Sequence, residues 1–121
     1  MIGRIARASI LALVITAPAV DIAAARSAYD GSWSLSIVTE RGACDRSYNF
    51  GVDITDGIVS HPNLVRLRGR VSRGGAVRVS VSVQDKHASG WGRLSRSSGH
   101  GRWSGYSGSE RCSGHWTAQR Y

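Results

Sequence analysis

Residues 64–83, LVRLRGRVSRGGAVRVSVSV, constrain this chain most, because apolar residues recur at every second position on both sides of an Arg73-Gly74-Gly75 break. A period of two describes strands with one buried and one wet face, here the two arms of a β-hairpin. Val65, Leu67, Gly69 and Val71 share a face with Val77, Val79, Val81 and Val83, while Arg66, Arg68, Arg70, Arg78, Ser80 and Ser82 take the other. The turn sets the register. A two-residue Gly74-Gly75 turn would put Val71 opposite Arg78, whereas a three-residue loop puts Val71 opposite Val77 and keeps both apolar rows together. The three-residue loop is therefore expected.

The same alternation extends in both directions. Trp33, Leu35 and Ile37 point inward on a first strand that ends near Arg41-Gly42, and Tyr48, Phe50, Val52 and Ile54 do so on a second. Thr55-Asp56-Gly57 is a hairpin turn, after which Ile58-Val59-Ser60 begins a short third strand, interrupted by His61-Pro62-Asn63. Beyond Val83, a two-residue Asp85-Lys86 turn would set Val83 opposite Ala88, Val79 opposite Gly92 and Val77 opposite Leu94. A four-residue loop over residues 96–99 then sets Leu94 opposite Gly101 and Gly92 opposite Trp103. The next hairpin sets Trp103 opposite Gly114 and Gly101 opposite Trp116. Large indoles facing glycines suit a closed or strongly curved sheet. No helical period appears in residues 26–121. The expected fold is all-β, an antiparallel up-and-down meander of seven or eight strands closed into a small barrel, with a two-sheet sandwich as the alternative.

Residues 1–25 read as an export signal: Arg4 and Arg7 precede the apolar run Ile10-Leu11-Ala12-Leu13-Val14-Ile15, followed by Pro18 and small residues. Cleavage is expected after Ala25, with Ala19 as the other candidate. The apolar run is much shorter than the ~20 residues of a membrane span. No stable span is therefore expected after cleavage. Residues 26–121 suffice for one small domain in the periplasm or outside the cell. Losing Arg4, Arg7 and Asp21 changes the net charge of +8 by a single unit. Such a surplus favours acidic partners, although a chain whose only lysine is Lys86 also carries the mark of arginine codon bias. Cys44 and Cys112, the two cysteines, are expected to form one disulfide in an exported domain this small.

The sequence supplies no catalytic set. No Gly-x-Ser-x-Gly elbow occurs, the serines fill strand surfaces, and Asp45, Asp53, Asp56 and Asp85 sit largely in turns. His61, His87, His100 and His115 are scattered, so neither metal nor cofactor is expected, and the chain reads as a noncatalytic protein. The expected registers do bring Arg70, Arg78, Arg93 and Arg102 onto one outward rung, with His115 next to Arg102 and Trp91 one position away between Ser80 and Ser104. Like charges opposite one another are unfavourable. An exposed indole beside guanidinium groups can stack on a sugar while the arginines take carboxylate, sulfate or phosphate. Anionic polysaccharide or lipopolysaccharide is the expected partner.

Gly31-Ser32-Trp33 at the head of an alternating strand resembles the Gly-x-Trp start of calycin-type barrels: lipocalins, avidins and exported bacterial metalloprotease inhibitors. With the late Cys112-Ser113-Gly114-His115-Trp116, the whole of residues 26–121 is similar to small exported proteins of GC-rich bacteria, some of which carry an exoprotein label tied to haem utilisation or adhesion. The resemblance implies a small barrel that binds something. It also implies an alternative, an inhibitor of a partner protein acting through the segment at residues 26–30.

Overall fold

A computed structural model describes residues 27–121. The expected export signal, with both cleavage positions, lies outside the described residues. Eight strands follow in order: β1 (Gly31–Arg41), β2 (Ser47–Thr55), β3 (Ile58–Ser60), β4 (Arg68–Val71), β5 (Ala76–Val83), β6 (Lys86–Leu94), β7 (Ser98–Ser107) and β8 (Glu110–Arg120). Each pairs antiparallel with its neighbour, and β8 returns to β1, with Ile37 opposite Trp116, to close the barrel. Closure leaves no sheet edge.

Turn chemistry accounts for the sharp corners. Asp56 and Gly57 both take positive φ, 54° and 79°, between β2 and β3, as a type I′ hairpin requires. At the β4–β5 hairpin, Ser72 N–H donates to Ala76 O at 2.8 Å and Val71 lies opposite Val77. That is the register the three-residue loop demands. The first arm of the hairpin is shorter than its alternation implied: β4 begins at Arg68, and Val65 is exposed in the connection that follows Pro62.

The next two registers differ from expectation by two residues. The β5–β6 turn is Gln84-Asp85, with Gln84 at φ 57°, so Val83 faces Lys86, Val81 faces Ala88 and Val79 faces Gly90. The β6–β7 loop is two residues shorter than expected, with Ser95 N–H donating to Ser98 O at 2.7 Å around Arg96-Ser97 and Leu94 opposite Gly99. A slip of two leaves every side chain on its original face, so alternation cannot distinguish these registers. Close packing can. Gly92 lies opposite Gly101, and a Cβ on either would come within 2.6 Å of the Trp116 indole, which occupies the space that both glycines vacate. Trp103 opposite Gly114 and Trp116 opposite Gly101 stand as expected.

The meander gives the barrel two unlike ends. The base carries the β2–β3, β4–β5 and β6–β7 turns and is packed with Trp33, Ile54, Val71, Val77, Leu94 and Ala118, all buried. Segment 27–30 docks there. Trp33 Nε1 donates to Tyr29 O at 2.8 Å, and the Asp30 carboxylate accepts from Asp56 N–H at 2.7 Å and Gly57 N–H at 3.1 Å. The mouth carries the other connections. There Cys44, in the β1–β2 loop, is bonded to Cys112 of β8 with S–S 2.00 Å, which is consistent with an oxidising, extracytoplasmic setting.

Candidate functional site

Inside the barrel, the inward rows diverge in size from base to mouth. The indoles of Trp33, Trp103 and Trp116 are buried in the barrel, but opposite and above Trp103 the inward positions of β5 and β6 short of the mouth carry only Val79, Val81, Ala88 and Gly90. These side chains are too small to meet across eight strands. The result is a cavity of about 600 Å³, within the ~300–1,000 Å³ range of small-molecule sites. Leu35, Ile37, Phe50, Val79, Val81 and Ala88 form its wall, and it opens among mouth residues.

Polar groups are confined to that opening. Tyr48, Asn49, His61, Lys86, His87, Tyr106 and Ser107 border it. His61 lies edge-on to Phe50 with ring centroids 6.0 Å apart, and its Nδ1 accepts from Asn63 N–H at 3.0 Å, which holds the imidazole beside the entrance. Across the mouth, Lys86 at the start of β6 brings the chain's only lysine ammonium to the rim. The arrangement can desolvate an apolar body and leave one polar end in water near a cation. None of the wall residues was singled out from the sequence as a site. The signal lies in the small inward residues Val79, Val81, Ala88 and Gly90, which no pattern of alternation weighs by volume.

On the outer surface, the expected arginine row is partly assembled. Arg70 faces Arg78, and Arg102 faces His115, as the registers of those strands predict. Arg93 does not join them. The two-residue slip puts Arg93 opposite Ala76 and His100, where its Nη1 donates to Gly74 O at 2.9 Å. Trp91 takes its place: Arg78 faces Trp91, and Trp91 faces Arg102. Trp91 is thus a member of the row rather than its neighbour between Ser80 and Ser104, and the correction separates arginines that would otherwise repel one another. Arg102 also pairs with Glu40 at 3.3 Å, as does His115 Nδ1, and all three groups are substantially exposed.

Among the described residues, no three His, Cys, Asp or Glu side chains gather into a metal-binding group. The four histidines instead keep separate company, His61 at the mouth, His87 between Ser82 and Ser89, His100 opposite Arg93, and His115 beside Glu40. No family model, curated protein or solved structure matches the chain.

Proposed function

We propose that this is a noncatalytic, exported binding protein that takes a small amphiphile into the barrel, apolar body first, with the polar end at the mouth. The observation that carries the reading is the cavity of about 600 Å³, apolar along its wall and bordered by Lys86, His61 and Asn49 only where it opens. An apolar body that enters leaves water for a preformed wall, at roughly 25 cal/mol per Å² of apolar surface buried. An anionic head would meet the Lys86 ammonium without being buried. The disulfide supports export to the periplasm or beyond, and the closed eight-stranded barrel has the architecture that the calycin-type resemblance implies.

Inhibition of a partner by residues 26–30 has less support. Ser27–Asp30 is engaged at the base through Tyr29 O and the Asp30 carboxylate, so insertion into a partner's cleft would first have to undock it.

Titration with a neutral fluorescent apolar probe, N-phenylnaphthylamine, followed by displacement with fatty acids, tests the cavity reading. Val81→Trp places an indole in the cavity and is expected to weaken probe binding about tenfold or more, with the far-ultraviolet circular dichroism of a β-protein retained. Val79→Phe serves as a second filling variant. Probe binding unchanged in folded forms of both variants would sink the proposal.

A further inference from the structure

We infer that the outer face of β5–β8 carries a second binding site, a serine-floored groove for an anionic polysaccharide. It rests on the strand register and the exposed side chains of the outer face and does not depend on the cavity reading. Ser80, Ser89, Ser104 and Ser113 stand on one continuous rung across the four strands, and the rung ends on Arg68 beyond Ser80 and on Arg41 beyond Ser113. One rung toward the base lie Arg78, Trp91 and Arg102; one rung toward the mouth lie His87, Tyr106 and Arg111. Short hydroxyl side chains thus lie between two rows of aromatic and cationic ones.

The dimensions follow from strand geometry. Four strands at about 4.8 Å spacing give a floor of about 14 Å, and the flanking rungs stand about 13 Å apart along the strands. At the Tyr106 end the floor is already concave, a depression of about 430 Å³ bordered by Arg41, His87, Ser89, Ser104 and Arg111. Trp91 and Tyr106 are 46% and 44% exposed, so each presents a ring to an incoming ligand. The Tyr106 platform is held in place: His87 stacks on it with centroids 5.6 Å apart, and the His87 nitrogens lie 2.9 Å from Ser82 Oγ and 3.4 Å from Ser89 Oγ.

Each group suits one part of a charged sugar chain. Serine hydroxyls both donate and accept, matching sugar hydroxyls, and they are short enough to let a pyranose approach the sheet. The aromatic faces take the apolar faces of the rings, and the guanidinium forks take carboxylate or sulfate with two parallel hydrogen bonds. Glu40 is the acidic group paired into this face, through Arg102 and His115. That pairing is exposed and therefore weak enough for a ligand anion to displace. Single-stranded nucleic acid fits less well, since successive bases want adjacent aromatic platforms and these two lie at opposite sides of the floor.

The test measures binding of heparin, polygalacturonate, neutral dextran and a single-stranded oligodeoxynucleotide by calorimetric titration at low and raised salt. Heparin or polygalacturonate is expected to bind, more weakly as salt rises, while dextran does not. Trp91→Ala and Ser89→Glu should each lower that affinity about tenfold, and Trp91→Tyr should keep most of it. The pair Arg78→Ser and Arg102→Ser should weaken binding far more than Arg66→Ser with Arg73→Ser, which removes equal charge away from this face. Equal losses from the two pairs, tighter binding of the oligonucleotide than of either polyanion, or no binding at all would overturn the groove. N-phenylnaphthylamine binding is expected to persist in every one of these variants, so failure here and failure of the cavity reading are told apart.

Discussion

Arg120 ties three segments together at the base of the barrel, and no sequence pattern announces it. Its Nη1 donates to Ala28 O at 3.0 Å and to Arg96 O at 2.8 Å, its Nη2 donates to Asp30 O, and its guanidinium lies 5.3 Å from the Trp33 ring centroid. Carbonyls that would otherwise need water are satisfied by one planar fork, which a lysine ammonium could not span. Replacing it by methionine keeps much of the apolar stem but removes every donor. Arg120→Met is expected to cost about 2 kcal/mol in chemical denaturation, and Arg120→Lys to recover only part of it. A charge-neutral surface change would leave the midpoint where it is. From the sequence, Arg120 was one arginine among many, because its partners are carbonyls far away along the chain.

Among the elements, the β5–β6 hairpin shows what period-two reasoning can and cannot decide. Alternation placed the valines inward and the arginines outward correctly, since a slip of one would have exposed every valine. It could not separate turn Gln84-Asp85 from turn Asp85-Lys86, because the two registers share all their faces. The strand pairing sets the turn at Gln84-Asp85, with Val83 opposite Lys86, while the fit of Trp116 over Gly92 and Gly101 bears on the next register, between β6 and β7, through a contact that no single hairpin contains. The outcome leaves Gln84 with φ 57°, a left-handed conformation that costs a residue with a Cβ about 1 kcal/mol relative to glycine. Gln84→Gly is therefore expected to raise stability by up to about 1 kcal/mol without moving the register. A denaturation midpoint that falls instead would mean that the turn does not hold this conformation.

At the scale of the whole molecule, the class and closure of the fold were legible because every strand alternates and every connection is short. The cavity was not legible, because alternation says which side chains point inward and nothing about whether they fill the space. Barrel closure and the mouth meet at the disulfide: Cys44 borders the cavity from the β1–β2 loop, and Cys112 is buried on β8, with Cα atoms 6.1 Å apart. With the cysteines 68 positions apart in sequence, the cross-link lowers the entropy of the unfolded chain by the equivalent of about 4 kcal/mol in the loop-closure model. Replacing both cysteines by serine, or reducing the wild type, should therefore lower the melting temperature, by about 4–8 °C for each kcal/mol lost in a domain of this size. The two treatments are expected to agree. Loss of the bond also frees the β1–β2 loop at the cavity edge, so apolar-probe affinity should fall at temperatures where the barrel is still folded. A melting temperature indifferent to reductant would show that strand pairing between β1 and β8 closes the barrel without the cross-link.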